Sequence, residues 1–249
     1  MIPLKSEKDL EYLRASGKIL SLVIKEVRKI VKPGITTNEI DRLAESLILE
    51  NNAQPAFKGY KGFPATTCIS INEEIVHGIP SERKLVEGDI VSIDLGVNFC
   101  GYFSDSAVTL AVGKIEARRK KLIEVAKKSL ELGIKEARPG NRLSDISCSI
   151  QKYVENNGFS VVRQFVGHGI GSSLHEEPEI PNFGSPGLGP RLKSGMVLAI
   201  EPMINLGKSE CKIMDNGWTA VTADGTPSAH FEHTIALTDK GPVILTKLN

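Results

Sequence analysis

The chain is written twice, and that repeat restricts its fold more than any other feature. Leu85-Val86-Glu87-Gly88-Asp89-Ile90-Val91-Ser92-Ile93-Asp94 and Leu192-Lys193-Ser194-Gly195-Met196-Val197-Leu198-Ala199-Ile200-Glu201 share one pattern: L-x-x-G, an apolar run, then Ile and a carboxylate. The offset is 107 residues. Lys32-Pro33-Gly34 and Arg138-Pro139-Gly140 match at an offset of 106, and each precedes a helical pattern that ends in Asn-Asn. Phe57-x-Gly59-Tyr60 matches Phe165-x-Gly167-His168 at 108. Three matches in register and in the same order point to two similar halves, about 6–112 and 113–249. With no linker between them, the expectation is one pseudo-symmetric domain over 1–249, with a site between the halves drawing on both.

Within each half the pattern reads helix, Pro-Gly turn, helix, strands. The first helix is expected from about Ser6 to Val31, where Ser6 and Asp9 resemble a capping box. The second starts near Thr36, with Glu39 three residues on, and ends near Asn52. The later pair is expected at Ala117–Ala137 and Leu143–Asn157. Strands are expected at Thr66–Ile71, Ile90–Val97, Tyr102–Val112, Ser160–Val166, Val197–Leu206 and Glu232–Leu237. The Pro- and Gly-rich stretch Pro178–Pro190 reads as a loop.

Composition narrows the functional classes. A net charge of +1 leaves no basic footprint for nucleic acid. No window is apolar enough for a membrane span, and charges at Lys5, Glu7, Lys8 and Asp9 break up any secretion signal. Cys68, Cys100, Cys148 and Cys211 are far apart, which suggests neither a zinc ribbon nor a disulfide scaffold. They are expected to be mostly buried small hydrophobes in a reducing cytoplasm.

Carboxylates at the edges of apolar strand patterns carry the chemistry. Asp94 and Glu201 end their runs, Asp105 interrupts Tyr102–Val108, and Glu232 precedes His233–Leu237. One such residue reads as a salt bridge or a strand-end cap. Four of them, with no Lys or Arg in these strands, need divalent cations to neutralise them. His168 stands in Gly167-His168-Gly169-Ile170-Gly171, where the glycines allow close backbone approach and leave the ring clear. A histidine beside glycine is more often a plain loop residue; opposite four carboxylates it becomes a metal candidate. His77 and His175 both stand in H-x-x-P.

Taken together, Asp94, Asp105, the His168 turn, His175-Glu176-x-Pro178, Glu201-Pro202 and Glu232-His233-Thr234 resemble the methionine aminopeptidases of the bacterial type I form. Cys68–Glu73 and His77-Gly78-Ile79-Pro80 are also similar to that family, and the resemblance runs from about Ser6 to the C-terminus. It implies the α+β "pita-bread" fold, with a curved antiparallel sheet, outer helices and two pseudo-symmetric halves. It implies two divalent ions (Co, Mn, Fe(II) or Zn) held by Asp94, Asp105, His168, Glu201 and Glu232, with Asp105 and Glu232 shared. Glu201 would shuttle a proton, His175 would polarise the scissile carbonyl, and His77 would bond the peptide beside the cut. The implied substrate is the N-terminus of a nascent chain or peptide whose second residue is small. The implied enzyme is a cytoplasmic monomer, with possible contact to the ribosome near its exit tunnel. Since this chain begins Met1-Ile2, its own Met1 is expected to be retained.

A pocket for methionine needs soft apolar walls, and the candidates are Phe57, Tyr60, Phe63, Cys68, Leu174, Met203 and Trp218. Each also reads as ordinary core. Leu174 and Phe57 depart from the residues usual in the family, which alters pocket shape rather than chemistry. His230 stands where Gln is more usual, either backing a ligand or at the surface. The rival readings are a proline-specific peptidase of the same fold, which usually carries a long N-terminal domain, and a non-catalytic binding protein, which typically loses ligands.

Overall fold

Capping chemistry starts the first two helices where the sequence places them. The computed structural model describes residues 2–247; Met1, on which the expected retention bears, lies outside the described residues. Helix α1 (Glu7–Ile30) begins with a reciprocal cap, in which Asp9 N–H donates to Ser6 Oγ and Ser6 N–H donates to the Asp9 carboxylate. Helix α2 (Thr37–Glu50) repeats the device with Thr36 and Glu39. Helices α3 (Ala117–Glu136) and α4 (Leu143–Asn156) complete the second pair.

The repeat is structural as well as written. Gly34 N–H donates to Leu85 O at 2.8 Å, and Gly140 N–H donates to Leu192 O at 3.0 Å. Isolated bridges join Thr36 to Lys84 and Arg142 to Arg191. Asn51 Nδ2 reaches back to Leu47 O and Asn157 Nδ2 to Tyr153 O, both at 2.8 Å, closing α2 and α4 alike. Gly34 and Gly140 both take left-handed φ, 92° and 97°, which the Pro-Gly turn demands and other residues resist.

The first half supplies β1 (Gln54–Pro55), β2 (Thr67–Ile71), β3 (Glu74–Val76), β4 (Ile90–Phe99) and β5 (Tyr102–Ala111). The second supplies β6 (Ser160–Val161), β7 (Gly167–Gly169), β8 (Glu176–Ile180), β9 (Val197–Ile200), β10 (Met203–Asn205), β11 (Cys211–Ile213) and β12 (Ala220–Thr222). It ends with β13 (Ser228–His230), β14 (His233–Thr238) and β15 (Gly241–Ile244). Pairing is antiparallel throughout, in the orders β1-β4-β2 with β5 on β4, β15-β14-β9-β7-β8, β13-β10-β6 and β11-β12-β3.

Each half packs its helices on the outside of its strands. Leu20, Ile24, Ile40, Ile69 and Ile93 form one core; Val125, Ile146, Leu198 and Ile235 belong to the other. The two halves are joined where β5 meets β13 and β14. Asp105 N–H donates to Thr234 Oγ1 at 2.9 Å while that hydroxyl donates to Asp105 O at 2.8 Å. Ser106 Oγ donates to Glu232 O at 2.7 Å. Thr109 Oγ1 accepts from His230 N–H and donates to His230 O, both at 2.8 Å. Buried hydroxyls thus take up backbone groups that a regular ladder would otherwise pair.

Four expectations need correction. The stretch Pro178–Pro190 is not all loop, because Pro178–Ile180 lies in β8. As an edge strand, β8 tolerates a proline whose missing N–H costs no ladder bond. Val197–Leu206 is two strands, broken at Glu201-Pro202 where the chain crosses from one sheet to another. The expected strand at Ser160–Val166 stops at Val161. Of the four cysteines only Cys68 is buried, and Cys100, at the turn between β4 and β5, is exposed.

Candidate metal centre

Strand alternation aims the carboxylates at a common point. Asp94 and Asp105 come from the β4–β5 hairpin, where they pair with Ala107 and Gly96. Glu201 follows β9, and Glu232 precedes β14, which pairs with β9 through His233 and Ile200. Each half therefore contributes one strand pair and two carboxylates, and His168 enters from β7 on the other side of β9. All five line one cavity of about 180 Å³, together with His77, His175, Phe57, Tyr60, Lys61, Phe63, Cys68, Leu174 and Trp218.

The glycines beside His168 are required by close packing. A Cβ at Gly167 would overlap Ala199 O, and one at Gly169 would overlap Glu177 O. With both neighbours stripped, β7 fits tightly between β8 and β9 and its ring faces the carboxylates. His168 Nδ1 lies 2.8 Å from Gly169 O, and a carbonyl only accepts, so Nδ1 carries the proton. Nε2 is left with a free lone pair, 3.5 Å from Glu201 Oε1.

The electrostatics of the cluster call for cations. Asp105 and Glu232 are buried, as is His168. Burial, followed by mutual repulsion, holds Asp94, Glu201 and Glu232 well above the usual carboxylate range, and burial pushes Asp105 up to about 7. None of the four pairs with a Lys or Arg among the described residues. Lys61, the only such residue lining the cavity among those described, sits over the Tyr60 ring at 5.4 Å. Asp94 Oδ1, Asp105 Oδ1 and Glu232 Oε1 are buried with no hydrogen-bond partner. Orphaned carboxylate oxygens beside an imidazole lone pair fit a metal, and Asp105, His168 and Glu232 offer ligand atoms within 4.8 Å of one another.

Aromatic residues fix the rest of the cavity. His175 Nδ1 lies 2.9 Å from Tyr60 Oη, and the two rings stack at 5.3 Å. Desolvation by the cavity walls and then His168 push the His175 pKa down to about 3, so its ring is neutral. Burial also lowers His77. His77 takes a left-handed φ of 60°, rare for a residue with a side chain, and its ring meets Phe165 edge-on at 5.4 Å. Phe63 and Trp218 meet edge to face at 5.2 Å.

Of the expected pocket residues, Met203 is misplaced. On β10 it pairs with His230 of β13 and packs with Ile75, Val76, Val162 and Ala220, away from the cavity. His230 is not at the surface: it is 1% exposed, and Nε2 lies 3.8 Å from Glu201 Oε2. Sequence reasoning passed over Lys61 and the hydroxyls of Ser106 and Thr109. The polar residues punctuating β5 were the available signal for the latter two.

Four carboxylates, two of them buried, and a buried histidine, drawn from both copies of a duplicated α+β frame, define the class of protein as a metal-dependent hydrolase. Residues 11–239 match metallopeptidase family M24. The chain is 54% identical to methionine aminopeptidase 1 of Bacillus subtilis over 100% of both chains. A solved methionine aminopeptidase from Thermotoga maritima is 47% identical, superposes with a TM-score of 0.98, and covers 99% of this chain and 100% of its own. Prolidase from Pyrococcus furiosus shares the fold, with a TM-score of 0.81 at 23% identity; this chain is covered over 99% and that one over 66%. The chain belongs to metallopeptidase family M24, among the methionine aminopeptidases, and has the pita-bread fold.

Proposed function

We propose that the chain acts as a single domain that removes the N-terminal methionine from peptides and nascent proteins whose second residue is small. The observation that carries this reading is one cavity in which five ligand-type side chains adjoin an apolar wall of Phe57, Phe63, Cys68, Leu174 and Trp218. Asp94, Asp105, His168, Glu201 and Glu232 would hold two divalent ions. Such ions supply a nucleophile at neutral pH and a Lewis acid for the carbonyl.

The chain's own groups do the rest. The substrate's free terminal amine would lie at the ligand cluster, which restricts the cut to the first residue. With Tyr60 Oη as the donor to His175 Nδ1, 2.9 Å away, Nε2–H is left to donate to the scissile carbonyl oxygen. Glu201, its carboxyl raised by burial, carries a proton to the leaving amine. His77 bonds the peptide beside the cut. The methionine side chain lies against Trp218, Phe63 and Cys68, where sulfur meets aromatic faces.

All five ligands come from one chain, which supports a working monomer. We place the enzyme in the cytoplasm, where nascent N-termini emerge; any contact with the ribosome would use the surface of this domain. No helix among the described residues is long and apolar enough to cross a membrane. The decisive experiment is to titrate metal-free protein with Mn²⁺, Fe²⁺, Co²⁺ or Zn²⁺ and follow methionine release from Met-Ala-Ser peptides. Release from Met-Ala-Ser but not from X-Pro peptides is the expected result. Preference for X-Pro, or saturation below one ion per chain without activity, would overturn the proposal.

A further inference from the structure

Behind the metal centre, on the other face of the same strands, lies a larger groove. It runs between α1 and α3 over β5, with a volume of about 560 Å³. That is within the range of roughly 300–1,000 Å³ found for small-molecule sites. Phe231 and His233 line it, whereas Glu232 between them lines the metal cavity. One layer of sheet therefore separates the two.

The floor is apolar and incompletely covered. Val108 and Leu110 from β5, Ile123 from α3 and Ile244 from β15 line the groove and are only half-buried. Val108 touches the cores of both halves, so the groove follows the junction between them. The mouth carries Arg28, Lys127 and Lys247. None of the three is in an ion pair among the described residues. Glu131, the acid that lines the groove, is instead engaged by Lys128 Nζ at 2.8 Å. Deeper in, His233 Nδ1 lies 2.9 Å from Thr246 Oγ1, and His233 Nε2 has no partner among the described residues.

We propose that this groove binds an amphipathic anion, a carboxylate on a long apolar chain. The headgroup meets Arg28, Lys127 and Lys247, and the chain covers Val108, Leu110 and Ile123. A bare inorganic anion would leave that floor wet, and a neutral apolar molecule would leave three cations without a counter-charge.

Calorimetric titration of the metal-loaded enzyme with dodecanoate tests the proposal. One saturable site per chain is expected, weakened about ten-fold or more by Arg28→Glu or Lys127→Glu, the size of effect expected from reversing a charge that faces a carboxylate. Ile123→Trp, which fills the groove, should abolish it. Dodecanol should bind weakly and dodecyltrimethylammonium not at all. The variants lie outside the metal cavity, so their unchanged methionine release certifies that they are folded. Absence of saturable binding, equal binding of the cationic chain, or full binding in all three variants would overturn the proposal. So would displacement of dodecanoate by free methionine, because that places the carboxylate in the metal cavity.

Discussion

Asp105 and Glu232 enter the cavity from opposite halves, each with a buried oxygen that has no partner, so each should be indispensable. Asp105→Ala and Glu232→Ala are expected to lose both metal and turnover, read by metal analysis and methionine release. Full activity in either would refute the ligand assignment. The histidines should separate from them. His77→Ala and His175→Ala should keep their metal, and His175→Ala should lower kcat by roughly 10²–10³, the usual cost of removing one donor to a developing oxyanion. Tyr60→Phe removes the hydroxyl that orders the His175 ring, and should lower kcat with less effect on KM. Metal loss in the His77 variant would mean that residue is misplaced.

Among the elements, the contact of β5 with β13 and β14 is the one to perturb. Thr109 Oγ1 both accepts from and donates to the backbone of His230 inside the protein. Thr109→Val should cost about 1–3 kcal/mol, the penalty for stranding a buried N–H and C=O, and urea unfolding would measure it. An unchanged midpoint would show that the junction does not need its hydroxyls. This contact also marks where sequence reading stops. The helices were legible because Ser6, Thr36, Asn51 and Asn157 carry local signals that act within a turn of themselves. The ligand carboxylates were legible because Asp94 and Glu201 contradict apolar runs at matching places in the repeat. Thr109 and Ser106 bond residues more than a hundred positions away, and a hydroxyl in a strand does not announce its partner. Met203 and Trp218 looked equally suited to a pocket, and only the crossing to a second sheet after Glu201-Pro202 sends Met203 elsewhere.

For the whole molecule, charge and metal loading are linked. In metal-free protein the Asp105 pKa is raised from an ordinary 3.8 to about 7. Its contribution to stability is fully present below the ordinary value and is lost as pH rises through about 7. His175 and His230 act in the opposite sense: lowered from 6.5 to about 3, their contribution is present above 6.5 and lost as pH falls towards 3. Bound metal would remove the first effect by taking the place of the carboxyl protons. The rise in Tm on adding Mn²⁺ should therefore grow between about pH 5 and pH 8, and loading near pH 6 should release protons. Calorimetry in buffers of different ionisation enthalpy would count them; no release would exclude the buried carboxylates as ligands.

The proposed ligand set is divided, with Asp94 and Asp105 in one copy of the repeat and His168, Glu201 and Glu232 in the other. A duplication arranged this way leaves neither copy able to work by itself. Cutting the chain at the exposed Gly113, between β5 and α3, would yield two polypeptides with complementary deficits. Their reunion should follow metal concentration, so that the ion serves as a clasp between the copies as well as a reagent.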